Sequence, residues 1–111
     1  MANYSSFSPF GPTYLVGTSP VKVSANNNEN PTAYRIRNLL NTQQYLSWVP
    51  SSNPFGGTPT ITVTAPTAGN PSDNTMGFLP LSVEIIGTLP ANAWFQAGTA
   101  AAFEITPGEG L

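Results

Sequence analysis

Chemistry in a protein begins with side chains that can move a proton, hold a metal or attack a carbon. This chain carries few of them: it has no histidine and no cysteine. That removes the histidine-based triads, thiolate nucleophiles and the usual zinc ligand sets. The acids number five, at Glu29, Asp73, Glu84, Glu104 and Glu109. Only Glu84 and Glu104 fall in stretches that could become neighbouring strands. A glycosidase needs two carboxylates about 5–10 Å apart across a cleft, and these two are the sole candidate pair. Each alternates with apolar residues, so the plainer reading is a carboxylate facing solvent. A calcium site wants clustered oxygens, and "NNNEN" (26–30) and "NPSDN" (70–74) offer one acid each. No catalytic, cofactor or metal site is expected, and the chain reads as a non-enzymatic protein.

The basic residues are Lys22, Arg35 and Arg37. That is too few to track a phosphate backbone, so no nucleic-acid partner is expected. Arg35 and Arg37 share one face of an alternating stretch. They can meet carboxylates on a protein partner, because arginine is enriched in interfaces, or pair across strands with Glu84 or Glu104. Trp48 and Trp94 could serve as platforms for sugar rings, yet both lie in apolar strand patterns that suit a core.

The elements that must position these residues are strands. Twelve prolines and ten glycines punctuate the chain and leave only Thr32–Val49 as a long free stretch, poor ground for helices. Within it Ile36, Leu39 and Leu40 begin a helical stripe that dies at Gln43 and Gln44. Alternation fits better. Tyr34 and Ile36 oppose Arg35 and Arg37, and Leu46 and Trp48 oppose Tyr45, Ser47 and Val49, with Asn38 to Gln43 as the connection. Further strands are predicted over Val21–Ala25, Thr58–Thr64, Leu81–Ile86, Ala93–Ala97 and Thr99–Thr106, the last two joined by a turn at Gly98. Tyr14–Val16 is a candidate edge strand. Pro107 is expected to end the last ladder, leaving "GEGL" as a frayed tag. Residues 25–31 and 65–77 read as loops. About seven or eight short antiparallel strands at this spacing predict an all-β, single-domain sandwich or jelly roll.

Before that domain, assigned to residues 19–111, lies an extended arm over residues 1–18. Its aromatic residues include Phe7, Phe10 and Tyr14. It either lies along its own sandwich or reaches onto a partner, and its removal is expected to leave the domain folded. Only 7% of the residues are charged, against about 25% in ordinary soluble domains. Such a surface suits packing against other protein, where charge costs desolvation. No apolar run approaches the length of a membrane span, and "MANYSSFSPFGP" lacks the basic and apolar regions of a secretory signal. The product is expected to assemble where it is made.

The stretches "YRIRNLLNTQQYLSWVPSS", "MGFLPLSVEIIG" and "AWFQAGTAAAFEITPGEGL", in that order, resemble small virion proteins of tailed bacteriophages. The resemblance covers roughly residues 20–111. Among such proteins, the chain resembles the capsid decoration proteins, called cement or staple proteins, of short-tailed phages. The family implies a compact β-sandwich or jelly roll bound to the outer surface of the head. There it clamps neighbouring major capsid subunits after assembly in the host cytoplasm. The expected partner is the major capsid protein, with Phe7, Phe10, Tyr14, Arg35 and Arg37 as contact residues, and exposed sheet edges allow a homodimer across a two-fold axis. No membrane partner and no cofactor is expected. The alternative is a carbohydrate-binding sandwich on a particle or tail surface.

Overall fold

The computed structural model describes residues 7–26, 31–50 and 57–109. Among these residues lie nine strands: β1 (Ser8–Pro9), β2 (Tyr14–Val16), β3 (Val21–Lys22), β4 (Ala33–Asn38), β5 (Gln44–Val49), β6 (Thr75–Phe78), β7 (Val83–Ile86), β8 (Trp94–Ala97) and β9 (Phe103–Glu109). None of them is in an α-helix. Sheet A runs β2-β9-β4-β7, with β1 beside β2 on the same edge of β9, and sheet B runs β3-β8-β5-β6. All pairings are antiparallel. The pairs β2·β9, β3·β8, β4·β7 and β5·β6 nest inside one another and fall alternately in sheet A and sheet B. A single long ribbon rolled over itself gives that order, which is the jelly roll.

Period-two alternation places one face of each strand in the core. Val16, Tyr34, Ile36, Phe103 and Ile105 point inward from sheet A and meet Leu46, Phe78, Phe95 and Ala97 of sheet B, each no more than 1% exposed. Two edge-on ring contacts join the layers, Tyr34 to Phe95 and Phe78 to Phe103, each with centroids 5.1 Å apart. Each such pair adds about 0.5–1.5 kcal/mol beyond the area it buries.

Two buried polar side chains tie the turns to this core. The Tyr34 hydroxyl donates to the Pro90 carbonyl at 2.6 Å and accepts from the Ala93 N–H at 3.1 Å. Burial raises its pKa above the ordinary value of 10.0, against the lowering effect of its backbone hydrogen bonds. Asn38 sits where two connections meet. Its amide donates to the Thr42 carbonyl and the Leu79 carbonyl, both at 3.0 Å, and its Oδ1 accepts from the Leu40 N–H at 3.0 Å. One side chain thus holds both the β4–β5 and the β6–β7 turns.

The structure corrects the sequence reading in several places. Residues 58–64 form no strand. Ile61 is buried and Val63 half-buried, so the alternation marks a strap laid against the protein rather than a member of a ladder. Thr75–Phe78, expected to be loop, is β6 and pairs with β5. Leu81 and Ser82 belong to a turn before β7, with Leu81 at φ 54°. The last two strands are not a hairpin, because β8 and β9 lie in different sheets.

Pro107 does not end the ladder. It pairs with Tyr34 within β9, which continues to Glu109. The reason lies in the arm. Pro9 pairs with Gly108 and Tyr14 with Ile105, so Phe10 to Thr13 face only Thr106 and Pro107. The arm therefore bulges by two residues at that point. The Pro107 carbonyl accepts from the Phe10 N–H at 2.8 Å and so points to the arm side. In a strand the N–H and C=O of one residue point to the same neighbour, so the donor that proline lacks falls at the bulge, where no ladder bond is lost. Residues 110 and 111 of the expected tag lie outside the described residues.

Candidate interaction surface

The described part of the arm belongs to the domain. β1 and β2 form the edge of sheet A. Phe10 is bracketed by Pro107 on one side and by Asn26, whose N–H donates to the Phe10 carbonyl at 2.8 Å. Gly11 has no room for a side chain there: an added Cβ would lie 3.0 Å from both the Pro107 ring and the Ser24 carbonyl. Tyr14 packs on the core, and its hydroxyl donates to the Ser24 carbonyl at 3.1 Å. Phe7 lies over Gly108, where an added Cβ would stand 2.6 Å from its ring. Of the three aromatic residues predicted as contacts, Tyr14 and Phe7 thus pack on their own sheet, and Phe10 is held there through its backbone.

Arg35 and Arg37 do share the outer face of sheet A. Register places Leu15, Glu104, Arg37 and Val83 in one row across four strands. The Arg37 guanidinium donates to the Glu104 carboxylate at 3.3 Å, with side chains 47% and 31% exposed. A pair so open to water contributes less than about 1 kcal/mol. In the next row Arg35 lies between Thr106 and Ile85 and makes no ion pair among the described residues. Glu84 stands opposite Ile36, hence on the other face from both arginines. The same register separates Glu84 from Glu104: β4 runs between them, and they face opposite sides of sheet A. The one carboxylate pair offered by the sequence does not share a cleft.

Sequence reasoning missed the apolar part of this surface. Leu15, Leu79, Leu81 and Val83 are 59%, 69%, 58% and 46% exposed. The alternation of Leu81, Val83 and Ile85 suggested a strand that begins at Leu81. Leu81 instead takes a left-handed conformation in the turn, and the ladder starts only at Val83, whose register puts it on the outer face. Bulky residues avoid that conformation, at a cost on the order of 1 kcal/mol or more.

Sheet B presents a different outer face. Lys22, Trp94 and Val49 form one row there, with Trp94 half-buried. Trp48 pairs with Phe95 on the inner side and packs on the core. The excursion between β5 and β6 frames two open clefts on this side. One, of about 400 Å³, is lined by Thr62, Thr64, Ser72, Asp73 and Thr75 among others. The second, of about 320 Å³, lies between Val63 and Tyr45. Neither gathers acids: the described residues contain no group of three or more metal-ligating side chains. No helix among them is long and apolar enough to cross a membrane. No family model, curated protein or solved structure matches this chain.

Proposed function

We propose that this is a structural, non-enzymatic virion protein that decorates the outer capsid surface and staples neighbouring major capsid subunits. The observation that carries the reading is the outer face of sheet A. It sets exposed Leu15 and Val83 around the Arg37–Glu104 pair, with Arg35 beside them and Leu79 and Leu81 at the corner. Apolar area around a few specific charges is how protein interfaces are composed. The whole chain has only eight charged side chains, and three of them stand on this face. Jelly rolls occur in viral capsid proteins and in lectins, an analogy of fold that does not decide function. Stapling itself is mass action: a ligand that binds only the assembled lattice stabilises it, and many copies on one shell let modest contacts act together.

The test is binding of point variants to phage heads. Arg37→Glu and Leu15→Asp leave the core untouched and are expected to weaken binding tenfold or more, on the order of 1.4 kcal/mol each. Full affinity in both folded variants would remove sheet A from the interface. A second reading, a carbohydrate-binding module, draws support from Trp94 on the outer face of sheet B. It predicts glycan-array binding that is lost in Trp94→Ala and kept in Arg37→Glu.

A further inference from the structure

Sheet edges invite pairing, and proteins usually blunt them with proline, lysine, shortness or a covering loop. Three of the four edges here are blunted. The β1/β2 edge carries Pro9 and Pro12, β3 is two residues long with Lys22 in it and Pro20 before it, and β6 is flanked by the excursion that carries Thr62, Thr64 and Ser72. The fourth edge, β7, reads Val83-Glu84-Ile85-Ile86: it carries no proline and no lysine, its one charge is Glu84 on the face opposite Val83, and no described strand pairs with its free side.

The phase of its free groups is fixed. The Asn38 N–H donates to the Ser82 carbonyl at 2.9 Å, which makes Asn38 and Ser82 a hydrogen-bonded pair. Such pairs alternate along an antiparallel ladder. Glu84 and Ile86 therefore bond to β4, while Val83, Ile85 and Gly87 aim their N–H and C=O groups away from the sheet. We propose that the β7 edge pairs antiparallel with β7 of a second copy of this chain, about a two-fold axis at Ile85. Facing residues in such a pair share a sheet face, so the axis must pass through a residue position. An axis at Glu84 would oppose two carboxylates. An axis at Ile86 pairs fewer of the outward groups within 83–87. The axis at Ile85 sets Ile85 against Ile85, Val83 against Gly87 and Glu84 against Ile86. It forms about six backbone hydrogen bonds with no like charges opposed. Sheet A then runs unbroken through both copies.

This inference does not need the proposed function, because a dimer in solution requires no particle. The purified full chain is expected to sediment at twice its mass of 11.7 kDa at micromolar concentration. Ile85→Pro removes an outward N–H that β4 does not use, so it is expected to stay folded by circular dichroism and to halve the mass. The chain has no cysteine of its own, which allows a register test that does not depend on the proline variant. Facing Cα atoms of a hydrogen-bonded pair lie about 5.5 Å apart, within disulfide reach. Ile85→Cys should therefore cross-link two copies under mild oxidation, and Val83→Cys should not. A monomeric wild type, a folded Ile85→Pro variant that remains dimeric, or equal cross-linking at the two positions would overturn the proposal.

Discussion

Asn38 is a fully buried amide, at 0% exposure, and every polar atom of its side chain has a backbone partner. Replacing it with alanine leaves the Thr42 and Leu79 carbonyls and the Leu40 N–H without that partner. The expected cost of Asn38→Ala is about 3 kcal/mol or more, from the loss of buried hydrogen bonds, measured by urea denaturation. Tyr34 has a second consequence. Its pKa is raised by burial, so above the ordinary tyrosine value the folded state binds more protons than the unfolded state. Stability is then flat below that value, near 10.0, and falls as pH rises through the higher folded value. Tyr34→Phe should lose about 1–3 kcal/mol at neutral pH, because the Ala93 N–H and Pro90 carbonyl lose their partner, and should show a shallower alkaline decline. At Leu81 the expectation reverses. Leu81→Gly relieves the left-handed strain but adds backbone entropy of about 0.5–1 kcal/mol, leaving stability nearly unchanged by thermal melting. Any loss of particle binding in that variant therefore reports on the exposed side chain itself.

At the scale of elements the arm is the informative case. Gly108 accepts β1 so closely that an added Cβ would collide with the Ser8 carbonyl and the Phe7 ring. Gly108→Ala should cost about 1–3 kcal/mol through overpacking, seen as faster amide exchange along β1. Deleting residues 2–14 removes β1 and part of β2 and bares the edge of β9. The truncated chain is expected to melt earlier or aggregate, where the sequence suggested a dispensable arm. The strands β4 and β5 were legible from pattern alone, as was the outward side of Glu104 in β9, but the bounds of β9 were not, and Trp94, read as suiting a core, lies on the outer face of sheet B. What stayed hidden depended on partners distant in sequence. Thr58–Thr64 alternates as well as any strand but pairs with no strand among the described residues, whereas residues 75–77, read as the end of a loop, belong to a strand because β5 lies beside them. Pro107 reads as a terminator until the bulge at Phe10 to Thr13 supplies a place for its missing donor. The shared face of Arg35 and Arg37 was legible. The exposed Leu15 and Leu81 around it were not: Leu15 faces out through its register with Glu104, and hydrophobicity alone does not reveal the left-handed turn at Leu81.

For the whole molecule the ionic sparseness becomes intelligible as a property of surfaces. With 7% charged residues, the core is built without ion pairs, and the one salt bridge among the described residues sits on the outer face of sheet A. The jelly roll stacks two sheets, with β1 and β2 along one edge of sheet A, and the proposed decorating role would use the outer face of that sheet. The most direct measurement of the decorating role is co-sedimentation of the purified protein with assembled phage heads and, separately, with free major capsid subunits. The account predicts saturable binding to heads, little binding to free subunits, and a raised rupture temperature of the decorated heads. Equal binding to both, or binding to neither, would contradict it.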